Sequence, residues 1–221
     1  MQGVRLPAHQ QNEVPEINVP TRQMVITMHM LSHLKAEFAR AMRNFRYERA
    51  PEGLYFTAQK ALFGGVFSTS EDDGLTWAPS KNTVALEGLD AIFTCFFNNG
   101  SPPTAFYLAP FTNNTNPSSA LTAATFAASQ SEYTGYTQTT RVPWVQNGAS
   151  SGQTVSNSNA PGVFTIGASA VTITGAGFIA SASAKGATTG VLIAAALFGA
   201  PNSLNPGSTL QVQYSLAGTP A

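Results

Sequence analysis

Charge is what this sequence has least of. Lys, Arg, Asp and Glu together make up 10% of its 221 residues, against roughly 25% in an ordinary soluble domain. The formal net charge is zero, which argues against a general electrostatic pull on nucleic acid or an anionic membrane. A lone cysteine, Cys95, excludes an internal disulfide framework. Its apolar setting in "AIFTCFFNN" predicts a buried, inert thiol. No stretch reaches the roughly 18 uninterrupted apolar residues of a spanning helix, and "GVLIAAALFGA" (Gly190–Ala200) reads as a buried strand. The first twenty residues hold no apolar segment of the kind a secretory signal needs. The Asn-x-Ser/Thr matches at Asn99 and Asn113 therefore carry little weight.

The charge that exists is unevenly placed. Residues 1–100 carry nine Lys/Arg and ten Asp/Glu, whereas residues 101–221 carry only Arg141, Lys185 and Glu132. From Ala91 to Ser131 there is none. The change falls near "NNGSPP" (Asn98–Pro103), where glycine and two prolines interrupt regular structure. Four segments follow from this reading: an extended N-terminal arm over 1–20, an amphipathic helix over 21–50, a small α+β segment over 51–100 and a β-sandwich domain over 101–221.

The arm is polar and contains Pro7, Pro15 and Pro20. Thr21 can cap the helix that follows. Met24, Met28, Leu31, Leu34, Phe38, Met42 and Phe45 recur every three or four residues and form one apolar stripe. These seven are the candidate interface residues, since methionine adapts to irregular apolar surfaces. Arg40, Arg43, Arg46 and Arg49 gather toward the end where the helix dipole favours cations, and the helix should stop before Pro51.

Beyond it, Asp72-Asp73-Gly74 reads as the turn of a hairpin, because Asp-Gly supplies the backbone freedom required there. "KNTVALEGLDAIFTCFF" is a short strand followed by either a short helix or a second strand. Then come "AFYLAPF", "RVPWVQ", "TVSNS", "GVFTIG", "AVTITGAGFIASAS", "GVLIAAALF" and "STLQVQYSL", apolar runs divided by Gly, Pro, Asn and Ser. Their spacing predicts a mainly β fold, an antiparallel sandwich or jelly roll. No repeat of fixed period is present.

Isolated sandwiches shield their edge strands with charge, proline or bulges. A half with three charges has little of the first, and zero net charge favours association. Surfaces covered by copies of the same chain or by another protein explain the composition economically.

The residues do not assemble a catalytic signature. His29 and His33 stand four apart, but "HMLSH" lacks the glutamate of a zinc protease and no third ligand lies nearby. No Gly-x-Ser-x-Gly elbow is present, and residues 101–221 hold no histidine. Paired carboxylates for sugar hydrolysis would have to come from Glu71, Asp72, Asp73, Glu87 or Asp90. The Glu71–Asp73 cluster reads as a solvated hairpin tip. Trp77, Trp144, Tyr107, Tyr133 and Tyr136 could stack on sugars, although core packing is the default for most of them. No cofactor and no metal are expected.

The segments "KNTVALEGLDAIF", "FYLAPFTNNTNP", "LTAATF", "YTGYTQTTRVPWV" and the run from "GVFTIGASAVTITGAGF" to "LQVQYSL" carry a resemblance. In this order, over roughly Lys81–Leu216, the chain resembles small structural proteins of tailed bacteriophages. The resemblance implies a β-sandwich module of a virion, as capsid decoration (cement), head-fibre or tail component. It supplies no catalytic residue. The expected partners are the chain itself, as a homo-trimer or other symmetric oligomer, and the major capsid protein or another virion protein. No membrane and no specific nucleic acid are expected. A tail-fibre or baseplate component binding host-surface glycans is the alternative, and a glycan-acting enzyme is a third, weaker one.

Overall fold

All seven runs named beyond residue 103 form strands. The computed structural model describes residues 47–49, 55–57, 61–148, 150 and 152–220. The predicted arm and nearly all of the predicted helix lie outside them. The chain divides into two units, Met1–Gln59 and Lys60–Ala221. In the first, β1 (Tyr47–Arg49) pairs antiparallel with β2 (Tyr55–Thr57), Glu48 opposite Phe56. This corrects the end of the predicted helix, which had included Tyr47–Arg49. Pairing with the aromatic run Tyr55–Phe56 suits a pleated surface and overrides the helical spacing there.

The second unit holds two antiparallel sheets. One has the order β4 (Ala78–Lys81), β3 (Ala61–Ser70), β12 (Thr209–Pro220), β8 (Thr154–Ser156), with β9 (Gly162–Thr165) also on β12. The other runs β5 (Thr83–Val84), β11 (Val191–Leu204), β10 (Val171–Ala180), β6 (Phe106–Phe111), β7 (Val142–Trp144). The β3–β4 hairpin turns at Asp73 and Gly74, whose φ values of 54° and 86° are left-handed, as the Asp-Gly pair predicts. The composition change near Asn98–Pro103 lies inside this unit, because β3 pairs with β12 along its whole length.

The sheets share one core. Phe67, Phe164, Leu210, Val212 and Tyr214 from the first meet Leu108, Trp144, Phe178 and Ile193 from the second. Phe178 and Tyr214 pack across the interface with ring centroids 4.6 Å apart. The Trp144 indole N–H donates to the Tyr214 carbonyl at 3.0 Å, tying the layers together. This two-layer arrangement is consistent with the expected β-sandwich. It does not by itself establish a jelly-roll path.

Ile173–Ala180 of β10 and Leu192–Phe198 of β11 are buried on both faces, which accounts for continuous apolar runs in place of alternation. The second face is covered by α1 (Leu86–Phe97) and α2 (Ala123–Ser129). "LEGLDAIFTCFF" is thus a helix, resolving the ambiguity in the sequence. Two glycines permit this cover. A Cβ on Gly88 would stand 2.7 Å from the Ile193 Cα, and one on Gly177 would stand 2.6 Å from the Phe126 ring.

The edge strands are short. β5 has two residues, β7 and β8 three each, and β4 four. Pro143 lies in β7 and Pro79 in β4. Brevity and proline, with the exposed Lys81 of β4, therefore blunt these edges.

Candidate functional site

The sequence of α1 is mostly apolar, broken by Glu87, Asp90 and Thr94, of which Asp90 and Thr94 are exposed. Gly88 lies against β11, and Ala91, Ile92 and Cys95 follow on the half-buried side. The opposite side is open: Phe96 is 79% and Phe97 81% exposed, and Leu86 and Phe93 are also exposed. Phe93 and Phe97, one helical turn apart, stack with centroids 5.9 Å apart. Beneath α1 lies a cleft of about 400 Å³. Ile92 and Phe96 line one wall, and Trp144, Phe178 and Leu216 reach it from the core. Among the described residues no charged side chain lines it. An exposed apolar patch beside an apolar cleft is a surface suited to contact with another protein.

Glu87 fixes this helix in place. Its Oε2 accepts the Ala123 N–H at the start of α2 and the Leu192 N–H of β11, both at 2.7 Å. The carboxylate also favours the positive N-terminal end of α1, in whose first turn it sits.

Two of the three charges of residues 101–221 are withdrawn from the surface. Arg141 is 0% exposed and the Glu132 side chain 1%. Arg141 Nε donates to Glu132 Oε1 at 2.9 Å and Nη2 to Oε2 at 2.6 Å. Nη1 and Nη2 also donate to the carbonyls of Ala182 and Ala187. The pair thereby holds the β10–β11 connection against the segment after α2. Lys185 is half-buried, donates to the Thr134 and Tyr136 carbonyls, and stands 3.9 Å from the centre of the Tyr136 ring. Desolvation lowers the Lys185 pKa. Burial, then the Glu132 charge, raises that of Tyr136.

The Asp72 carboxylate is occupied as well. Asp72 accepts from the Ser70 hydroxyl, the Thr76 N–H and the Thr76 hydroxyl. These hydrogen bonds, Ser70 first, lower its pKa to about 2. Among the described residues no group of three or more His, Cys, Asp or Glu could hold a metal ion. No helix among them is long and apolar enough to cross a membrane.

Met24, Met28, Leu31, Leu34, Phe38, Met42 and Phe45, the interface residues predicted from the sequence, lie outside the described residues, as do the three histidines. Of the aromatics considered for stacking, Trp144 and Tyr136 are core, and Tyr107, Tyr133 and Trp77 are half-buried. Cys95 is half-buried at the cleft rather than buried, its Sγ 3.5 Å from the Ser101 carbonyl. The open face of α1 was not singled out in the sequence. Its signal was the density of phenylalanine in "IFTCFF", which helical spacing distributes to both sides.

No family model matches this chain, and no curated protein matches it significantly.

Proposed function

We propose that this chain is a non-enzymatic virion structural protein, a capsid decoration protein that assembles as a symmetric oligomer such as a trimer and stabilises a phage head. The observation that carries assembly is the open face of α1: four large apolar side chains stand in water beside an uncharged cleft. Contact with a second protein would remove that surface from water, at about 25 cal/mol per Å² of apolar area. The resemblance over Lys81–Leu216 supplies the setting, and the two-sheet unit serves as the β-sandwich body. Residues 1–50, with the stripe from Met24 to Phe45, supply attachment to the shell. Many weak attachments on a repeating lattice add up to a firm one.

The test is the copy number per purified particle, by quantitative gel against the major shell protein. A ratio of the same order as the shell protein's supports the decoration reading. A few copies to a few tens would move the chain to a tail fibre or baseplate, and absence from particles would sink the virion reading altogether.

A further inference from the structure

A second cleft, of about 480 Å³, opens between the β3–β4 turn and the far end of β11. Ser70, Glu71, Asp72, Thr76, Trp77 and Asn202 line it. We propose that this cleft binds a neutral saccharide of one or two rings. This is a binding function separate from assembly, and it holds whether the chain sits on a head or a tail.

The wall chemistry selects the ligand class. Among the described residues no basic side chain lines the cleft, which gives an anion no cationic partner there. Asp72 has both carboxylate oxygens engaged by Ser70 and Thr76, which makes it a brace of the turn and leaves Glu71 as the free carboxylate for a cation. Neutral hydroxyls suit what remains: the lone pairs of the Thr76 oxygen, whose proton is given to Asp72, the Glu71 carboxylate and the Asn202 amide. An amide offers two donors and two acceptor lone pairs, a set that can meet two neighbouring sugar hydroxyls.

Asn202 is the independent pointer to a ligand. It is only 8% exposed, and its Nδ2 is buried without a hydrogen-bond partner. Buried polar groups are almost always paired, and an orphan in a native fold calls for a partner. The strand that carries Asn202 is anchored there, because the Gly199 N–H donates to the Ser80 hydroxyl of β4 at 2.8 Å.

Trp77 supplies the apolar part. Its Nε1 is committed to the Gly74 carbonyl at 3.1 Å, so the indole is held in one orientation. What it presents to the cleft is ring surface, the match for the C–H face of a pyranose. Binding clefts combine such an apolar wall with a few placed polar groups.

The experiment is saturation-transfer NMR on the full chain with the methyl glycosides of glucose, galactose, mannose, rhamnose and N-acetylglucosamine. Titration of the best responder would follow. The expected result is saturable binding that weakens at least tenfold in Trp77→Ala and in Asn202→Asp. Glu71→Gln, on an exposed side chain, should weaken it several-fold with an unchanged thermal melt. The proposal is overturned if no glycoside in the panel binds, or if binding survives Trp77→Ala and Glu71→Gln in folded protein. Saturable calcium binding that needs Glu71, with no glycoside bound, would equally overturn it.

Discussion

Arg141 and Glu132 lie nine residues apart and meet as a fully buried, bidentate ion pair with Nη2–Oε2 at 2.6 Å. They are two of the three charged residues beyond residue 100. The surface of this half is therefore poorer in charge than its sequence. Removing one partner strands the other, at a cost of about 3–5 kcal/mol. Arg141→Met should lower the unfolding free energy by that order in a denaturant titration. Arg141→Met combined with Glu132→Leu should recover much of the loss, because no unpaired charge is left behind.

The open face of α1 leads to a prediction about association. Phe93→Ser with Phe97→Ser removes exposed rings, so the folded single chain should change little, within about 0.5 kcal/mol per site. Sedimentation velocity should show a shift toward monomer, with the apparent dissociation constant raised at least tenfold, about 1.4 kcal/mol.

Gly88 is where α1 approaches β11 most closely. Adding one methyl group as Gly88→Ala sets it against the Ile193 backbone, which cannot move aside as a flexible side chain would. Overpacking of this kind costs about 1–3 kcal/mol. The thermal midpoint should fall, with hydrogen-exchange protection lost first along Leu86–Phe97.

Asp72 leads to a prediction about pH. Its folded pKa, about 2, lies below the ordinary value of 3.8, so its contribution is complete above 3.8 and is lost as pH falls through about 2. A carbon-detected NMR titration should place the Asp72 midpoint near 2. Thr76→Ala removes the hydroxyl donor and should move the midpoint up toward 3.8.

The strands were legible because their boundaries are local. Asp73-Gly74 forces a turn, and the alternation in Leu210–Tyr214 places one face in a core. What stayed hidden depends on partners far apart in sequence. Nothing near Leu86 says that β11 will offer a helix its backbone at Gly88, so the segment could be read as helix or strand. Nor does the spacing of Arg141 and Glu132 announce burial, although an isolated charge in an uncharged run is rarely left unpaired once enclosed. The end of the predicted helix failed for the same reason. Tyr47–Arg49 follows the helical spacing of its neighbours, but its pairing with Tyr55–Thr57 outweighs that spacing. Short edge strands with Pro79 and Pro143 serve the same end as edge charge.

Glu87 joins α1, α2 and β11 through one carboxylate oxygen. Lifting α1 would strand two backbone N–H groups at once, so the helix is not a lid that swings. On the proposed decoration role, a neighbouring molecule would meet a face already in its bound shape. Docking would then require little ordering of the surface it touches, and a shell of many copies would close without each copy first searching for its conformation.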